Sequence, residues 1–210
     1  MKVICIDGPA GSGKSTVARA VAERLGLPYL DTGAMYRAIT FAALRRGLDP
    51  EDAEAVATLA RAVPLETDPD TVKVDGVDAT IEIRGPEVTR AVSIVAANPA
   101  VRVEMVKRQR TWVGEHGGGV AEGRDLGTVV FPDAELKVFL VADADVRAGR
   151  RAGEVRDLSY EAVASDLARR DALDEGREVS PTAKAQDAVE IDTTRLGIDE
   201  VVDAVVRLLP

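Results

Sequence analysis

A glycine-rich segment near the start of the chain constrains the fold more than any other feature. Residues 2–7 form a short β-branched run, and the sequence Gly8-Pro9-Ala10-Gly11-Ser12-Gly13-Lys14-Ser15 follows it directly. After Lys14, the apolar residues Val17, Val21 and Leu25 recur every four positions, which predicts a helix. A strand, a Gly-x-x-x-x-Gly-Lys-Ser/Thr loop and a helix in this order predict a loop whose backbone amides surround phosphate groups.

The loop predicts the roles of individual residues. Glycines at this spacing let backbone amides turn towards phosphate oxygens, and the N-terminus of the following helix adds positive potential. Lys14 would bridge the terminal phosphates, and the Ser15 hydroxyl would bind Mg²⁺. We therefore expect the phosphates of a nucleotide, with Mg²⁺ as the cofactor, to be bound by Gly8, Pro9, Ala10, Gly11, Ser12, Gly13, Lys14, Ser15 and Thr16.

Strand and helix patterns continue to alternate after the first helix. Gly26 is suited to end that helix, and residues 28–30 predict a second strand. Thr32 could cap a following helix that reaches about Arg46. Asp49-Pro50-Glu51 then predicts the cap and first turn of another helix, which reaches about Ala62.

The hydrophobic period changes from helical to two at residues 63–85. Asp75-Gly76 predicts a hairpin turn, and the alternation from Val77 to Arg84 predicts a strand after it. Helical patterns return at 87–96 and at 99–117, and apolar runs at 119–122, 136–141 and 188–191 predict three further strands. We predict an α/β fold with a doubly wound, parallel five-stranded sheet and a small antiparallel β insertion.

Charge and composition exclude several classes of partner. The chain has 210 residues and a formal net charge of −9, which argues against a face for nucleic acid or for an anionic membrane. Its single cysteine, Cys5, cannot form an internal disulfide, and no apolar run approaches the length of a membrane span. We expect a cytoplasmic monomer whose partners are small molecules, with no nucleic acid and no membrane.

Arginines are the second group of candidate functional residues, since 21 of the 27 basic residues are arginine. Arginine binds phosphate and carboxylate through two parallel hydrogen bonds, which suits small anionic ligands. Arg37 follows a predicted helix start, and Arg124-Asp125 follows a predicted strand. Two further sets recur at helical spacing: Arg147, Arg150 and Arg151, and then Arg170, Asp174 and Arg177. Taken alone, these helical sets are also explained by surface charge pairing.

The phosphate loop alone leaves several functions open. The strings Asp-x-x-Gly and Asn-Lys-x-Asp, typical of GTPase switches, do not occur in the chain. A small-molecule kinase would need a second anion site and arginines that cover the transferring phosphoryl group. The alternatives are a kinase for another nucleoside monophosphate or for shikimate and, outside enzymes, a nucleotide-gated regulatory protein.

Three stretches give the sequence a more specific resemblance. Residues 6–16, Leu30 to Arg37, and Arg124 to Asp133 resemble the bacterial cytidylate kinases, and the likeness extends over essentially the whole chain. The resemblance implies a P-loop nucleoside monophosphate kinase that uses ATP to phosphorylate CMP and dCMP. It also implies a core at about 1–30, 116–142 and 159–210, a monophosphate-binding region with the β insertion at about 31–115, and a helical lid at about 143–158.

The resemblance also implies roles for individual residues. Cytosine would be bound by Ser93, Arg102 and Asp125, the ribose by Arg170 and Asp174, and the monophosphate by Arg37, Arg124 and Arg177. Thr32 and Tyr36 lie in a matched stretch and are further candidates for substrate binding. Lys14 would be catalytic, together with the lid residues Arg147, Arg150 and Arg151. CMP and dCMP should be preferred far above UMP, whose O4 would face the Asp125 carboxylate.

Overall fold

The computed structural model describes residues 1–154 and 159–209. Its strands are β1 (Lys2–Asp7), β2 (Tyr29–Asp31), β3 (Leu65–Thr67), β4 (Val72–Val74), β5 (Val77–Asp78), β6 (Gly118–Gly123), β7 (Leu136–Val141) and β8 (Val189–Asp192). Its α-helices are α1 (Lys14–Leu25), α2 (Thr32–Arg45), α3 (Ala53–Ala62), α4 (Pro86–Ala97), α5 (Pro99–Glu115), α6 (Ala144–Glu154), α7 (Tyr160–Glu175) and α8 (Ile198–Arg207).

The sheet is parallel and five-stranded, as predicted, and its strand order is β2-β6-β1-β7-β8. β1 is the central strand, since it pairs with both β6 and β7. Its residues are almost all buried. In the pairing with β6, Asp7 lies opposite Gly123. The loop that starts at Gly8 and the segment that starts at Arg124 therefore leave the same carboxyl edge of the sheet, where parallel α/β folds bind ligands.

The chain divides into two compact units. The first unit comprises residues 1–28 and 117–210, and its core is built from apolar residues of β1, β6 and β7, including Ile4, Ile6, Val120 and Leu140. The second unit comprises residues 29–116 and contains α2 to α5 with a small antiparallel sheet of β3, β4 and β5. No helix within the described residues combines the length and apolar character that a membrane span requires.

Two predicted helix starts are wrong by one and by about three residues. Asp31, not Thr32, caps α2, because its carboxylate accepts a hydrogen bond from the Ala34 amide at 2.8 Å. Similarly, Asp52 caps α3 by accepting from the Ala55 amide, so the helix begins at Ala53 and Asp49-Pro50-Glu51 lies in the preceding turn. In both cases the cap that is used is a nearby aspartate whose backbone is not helical.

The predicted strand from Val77 to Arg84 is also wrong, because β5 ends at Asp78. The Asp78 carboxylate accepts hydrogen bonds from the Thr80 amide and hydroxyl at 2.9 and 2.6 Å, which forms a turn. A short 3₁₀ helix follows at Glu82–Arg84. A strand would bury Ala79, Ile81 and Ile83 on one face, whereas here Ala79 and Ile83 are buried and Ile81 is exposed.

Candidate active site

The phosphate loop joins β1 to α1 and has the left-handed backbone that glycine allows. Gly11 has φ 75°, and a Cβ atom there would lie 2.8 Å from the carbonyl oxygen of Arg147. At Gly8, a Cβ atom would lie 2.4 Å from the carbonyl oxygen of Leu140 on β7. Side chains at either position would displace the loop from the neighbouring elements, so both glycines are required for its close packing.

Lys14 and Ser15 begin α1. The Lys14 ammonium donates to the carbonyl oxygen of Pro9 at 3.3 Å, across the loop, and lies 3.9 Å from the Glu122 carboxylate of β6. The Glu122 side chain is 4% exposed. Ser15 and Thr16 are exposed in the first turn of α1, where the backbone amides have no helical acceptor. The arrangement leaves a cationic side chain and a helix N-terminus available to an anionic ligand.

Two arginines of α6 hold the backbone of the phosphate loop. Arg147 donates to the carbonyl oxygen of Ala10 at 3.0 Å and forms an ion pair with Asp171 of α7, which in turn accepts from the Ala10 amide at 3.3 Å. Arg150 donates to Ser12 O at 3.4 Å and to Thr193 O at 2.6 Å. Thr193 also donates through its hydroxyl to Ser12 O at 3.0 Å.

These contacts fix the loop from the side of α6, α7 and the segment after β8. Ala10 is part of an apolar cluster with Ala148, Val163 and Leu167 from the two helices. Arg151 lies on the same helix and is half-buried. The role of the three α6 arginines in neutralising phosphoryl charge stays a prediction, and residues 155–158 of the predicted lid lie outside the described residues.

A buried arginine cluster lies beside the start of the loop. Arg124 donates to the carbonyl oxygen of Gly8 at 2.8 Å and forms an ion pair with Asp174 at 2.9 Å. Arg177 forms a second ion pair with Asp174. The structure therefore brings together three of the predicted substrate-binding residues, two of them cationic.

Arg170 lies one turn before Asp174 on α7 and is buried. Burial and the like charge of Arg124 lower the pKa of Arg170, although arginine stays charged at neutral pH. Its buried Nε atom has no hydrogen-bond partner within the described part of the chain. Buried polar atoms are usually satisfied, so an excess of buried guanidinium over carboxylate here favours an anionic or hydroxylated ligand.

Asp7 and Asp125 are two buried carboxylates at the same sheet edge. Asp7 accepts hydrogen bonds from the amides of Leu126 and Gly127 at 3.0 and 2.8 Å. Burial is the main reason that the pKa of Asp7 rises to about 6, and the Asp125 charge adds to it. Asp125 is 5% exposed and precedes a single wide turn at Leu126–Val130.

The second unit contains the other predicted substrate-binding residues. Arg37 of α2 donates to Ile83 O at 3.1 Å and to the Thr89 hydroxyl at 2.9 Å. Arg102 of α5 is buried, donates to Ala96 O at 3.0 Å, and lies over the Tyr36 ring at 5.3 Å from its centroid. Thr32 and Ser93 are also buried. Arg102 and Tyr36 therefore lie together, whereas Arg37 is held by the region of the 3₁₀ helix.

Comparisons with known proteins identify the family. A sequence profile described as cytidylate kinase matches residues 4–210. The chain is 50% identical to the cytidylate kinase of Streptomyces griseus over 99% of this chain and 92% of that protein. It is 51% identical to the cytidylate kinase of Bacillus subtilis over 97% of this chain and 94% of that protein. The chain belongs to the cytidylate kinase family.

A comparison of structures supports the fold of this cytidylate kinase family member separately. A crystal structure of an uncharacterized protein from Eubacterium ventriosum is similar with a TM-score of 0.59 and 12% sequence identity, over 100% of this chain and 98% of that one. At this identity the likeness concerns the fold alone, and the fold agrees with the predicted α/β class.

Magnesium is the metal expected of a cytidylate kinase that uses ATP. Within the described residues, no group of three acidic, histidine or cysteine side chains could hold a metal ion alone. Mg²⁺ commonly keeps several waters and takes few protein ligands together with substrate phosphates. The exposed hydroxyl of Ser15 beside the helix N-terminus fits that donor set.

Four residues of this cytidylate kinase site were not predicted from the sequence as functional. Asp7 and Glu122 are single acidic residues at the ends of apolar strands, and that position was the only available signal. Asp171 is adjacent to Arg170 but faces the phosphate loop, and Thr193 follows β8. Neither Asp171 nor Thr193 belongs to a recognisable sequence motif. His116 and Trp112 stack on each other, with 3.9 Å between their ring centroids.

Proposed function

We propose that the protein transfers the γ-phosphoryl group of ATP to CMP and dCMP, producing ADP with CDP or dCDP. Family membership supports the substrate class, since relatives about half identical over nearly the whole chain are named cytidylate kinases. One structural observation carries the proposal: the buried cluster of Arg124, Asp174 and Arg177 adjoins Gly8 of the phosphate loop. A second phosphate-binding group next to a phosphate loop suits transfer between two phosphorylated ligands.

The chemistry needs no protein base. An oxygen of the acceptor monophosphate forms a bond to the γ-phosphorus, the bond to the β,γ-bridging oxygen breaks, and its electron pair leaves on ADP. The acceptor oxygen is already anionic, so positioning and charge neutralisation supply most of the rate. Lys14 would neutralise charge on the terminal phosphates, and the phosphate-loop amides of Gly8 to Thr16 would orient them.

Magnesium would be held by Ser15 together with the phosphates of ATP. When bound, Mg²⁺ neutralises charge on the β- and γ-phosphate oxygens. Arg147 and Arg150 would act first through the loop, because their guanidinium groups hold the carbonyl oxygens of Ala10 and Ser12. Arg151 is the remaining α6 arginine that we propose to contact the transferring phosphoryl group.

The proposed contacts to the acceptor follow the roles that the sequence predicts. In the first unit, Arg124 and Arg177 would bind the monophosphate, Arg170 and Asp174 the ribose, and Asp125 the base. In the second unit, the proposed contacts are Arg37 to the monophosphate, Ser93 and Arg102 to the base, and Thr32 and Tyr36 to the bound nucleotide. The excess of guanidinium over carboxylate around Asp174 suits the dianionic acceptor.

Discrimination between the bases would depend on Asp125. A buried carboxylate accepts a hydrogen bond from the N4 amine of cytosine, whereas uracil presents the acceptor O4 at that position. An unmatched polar edge in a desolvated site leaves both groups unpaired, which strongly disfavours UMP. We propose that the protein acts as a monomer, which light scattering on the 22.3 kDa chain would test.

A steady-state ADP-release assay tests the function directly. The acceptors would be CMP, dCMP, UMP, AMP and shikimate, each with ATP and Mg²⁺. We expect turnover with CMP and dCMP that exceeds turnover with UMP by at least tenfold, since one unpaired buried polar edge costs ~1–3 kcal/mol. Turnover of AMP equal to that of CMP would contradict the assignment of the base, and no turnover with any acceptor would contradict the enzyme activity.

A further inference from the structure

Asp7 joins the central strand to the segment that contains Asp125. It is the last residue of β1 and is 4% exposed. One carboxylate oxygen accepts from the Leu126 amide at 3.0 Å and the other from the Gly127 amide at 2.8 Å. The two donors lie 119 and 120 residues further along the chain, so this contact is made only in the folded protein.

The segment that Asp7 holds is a single wide turn rather than a regular helix. Its internal hydrogen bonds include one from the Val129 amide to Asp125 O at 2.9 Å and one from the Phe131 amide to Leu126 O at 2.7 Å. The amides of Leu126 and Gly127 begin the turn, where no earlier carbonyl can accept from them. The Asp7 carboxylate takes the place of those acceptors.

A second contact joins the same two segments. Arg124 donates to the carbonyl oxygen of Gly8 at 2.8 Å, immediately next to Asp7. Residues 7 and 8 therefore accept hydrogen bonds from Arg124, Leu126 and Gly127, on both sides of Asp125. The backbone of Asp125, with φ −141° and ψ 21°, lies between these contacts.

We infer that Asp7 is a positioning residue for base selection: its carboxylate fixes the Asp125 segment so that Asp125 can distinguish cytosine from uracil. This inference rests on the proposed function and concerns the same site. Asp7 needs no contact with the substrate to act in this way. Nothing in the phosphate-loop motif, which begins at Gly8, requires an acidic residue at this position.

The chemistry of the contact explains why a carboxylate is needed. An ionised carboxylate is an acceptor at both oxygens, whereas a protonated carboxyl or an amide has one group that donates. Such a donor would face an amide N–H and break one of the two hydrogen bonds. Losing a hydrogen bond to a charged group inside a protein costs ~1.5–3 kcal/mol, which is a factor of roughly 10 to 100 in an equilibrium constant.

Protonation of Asp7 falls within an accessible pH range. Burial raises its pKa to about 6, the two amide hydrogen bonds oppose that rise, and the remaining influences are the Asp125 carboxylate and the Lys14 ammonium. The Cys5 thiol on the same strand is the other titratable group nearby, and its pKa is raised well above the usual value. Because its pKa is raised, the Cys5 thiol stays neutral between pH 5 and pH 8.

The experiment measures kcat/KM for CMP and for UMP between pH 5 and pH 8, in the wild type and in Asp7→Asn. The ratio of the two values is the readout, because the phosphate group of the acceptor titrates equally in both substrates. In the wild type we expect the ratio to fall below about pH 6. At pH 8 we expect Asp7→Asn to lower the ratio about tenfold, to leave KM for ATP within about twofold, and to show no further pH dependence.

Cys5→Ala is the matched control, since Cys5 is a fully buried residue of the same strand. It should lower thermal stability without changing the ratio. A ratio that is unchanged in Asp7→Asn, or lowered equally by Cys5→Ala, would overturn the inference.

If Asp7→Asn does not fold, the wild type alone decides: a ratio that is constant from pH 5 to pH 8 also overturns the inference. Failure of the proposed function would be seen differently, as a wild type at pH 8 that does not prefer CMP to UMP.

Discussion

Arg147 and Asp171 form an ion pair between α6 and α7, and together they bind both backbone polar atoms of Ala10 in the phosphate loop. The next residue before Asp171 is Arg170, which faces the buried cluster around Asp174. One turn of α7 therefore contacts the phosphate loop through one side chain and the proposed acceptor site through its neighbour. The loop conformation and the proposed acceptor site depend on the same helix.

Asp171→Asn should weaken ATP binding. The amide keeps the shape of the side chain but removes the ion pair with Arg147, so the loop loses support at Ala10. We expect KM for ATP to rise by about tenfold, from a loss of ~1–2 kcal/mol in a part-buried charged contact. Initial rates at varied ATP and saturating CMP measure this effect. Asp166→Asn, which removes a largely exposed ion pair with Arg169 on the same helix, is the control and should leave KM unchanged.

Lys14→Ala should abolish phosphoryl transfer while the fold survives. The ammonium is part-buried; it donates to the loop carbonyl of Pro9 and forms an ion pair with the Glu122 carboxylate. Removing a group that stabilises transition-state charge lowers kcat by ~10²–10³-fold or more. Single-turnover rates, with circular dichroism for the fold, measure the effect. Lys2→Ala, which removes an exposed ion pair with Glu135, should retain activity. Substantial activity in Lys14→Ala would contradict the role of the loop.

Asp125→Ala should reduce activity with CMP more than it reduces activity with UMP. A buried acceptor for the cytosine amine is lost, whereas UMP also loses an unfavourable contact. We expect the ratio of kcat/KM for CMP to that for UMP to fall by about tenfold or more. Competition assays with both acceptors measure the ratio directly. Asp133→Ala, an exposed acidic residue after the same segment, is the control and should leave the ratio unchanged.

Arg108→Ala should destabilise the second unit through the end of α3. The Arg108 guanidinium donates to Ala60 O at 2.8 Å and to Val63 O at 2.9 Å, which are carbonyl groups without helical donors. We expect the free energy of unfolding to fall by ~1–3 kcal/mol, because truncation leaves these acceptors unpaired. Chemical denaturation measures the change. Lys107→Ala, on the exposed face of the same helix, should change stability by less than about 0.5 kcal/mol.

Asp7 should make stability and base selection respond oppositely to pH. Because the pKa of Asp7 in the folded protein is raised to about 6, the folded protein binds a proton at Asp7 at a higher pH than the unfolded chain does. Protonation of Asp7 therefore stabilises the folded state. This stabilisation is complete below the pKa of the unfolded chain and is lost as pH rises through about 6. Relative to Asp7→Asn, the wild type should lose on the order of 1 kcal/mol of unfolding free energy between pH 5 and pH 8. Urea denaturation at both values tests this, and a difference of the opposite sign would contradict the raised pKa.

The sequence alone predicted the features that depend on neighbouring residues. The phosphate loop, the apolar strands and the helix that follows Lys14 all have local signals, because glycine conformation and hydrophobic period act over a few residues. Arg124, Asp174 and Arg177 were also predicted as candidates for the substrate site. Their pairing with each other and with Gly8 was not predicted, since nothing in their spacing indicates a partner on another element.

Only the tertiary structure decided which polar groups support the site. Asp7 and Asp171 contact backbone amides that lie 119 to 161 residues away, and single acidic residues carry no periodic pattern from which such partners could be inferred. The turn after Asp78 shows the same limit at short range, where an aspartate side chain overrides an alternating pattern that predicts a strand. Hydrophobic period determined the elements, whereas packing determined the partners, because a buried polar group must find its hydrogen bonds wherever the fold brings donors close.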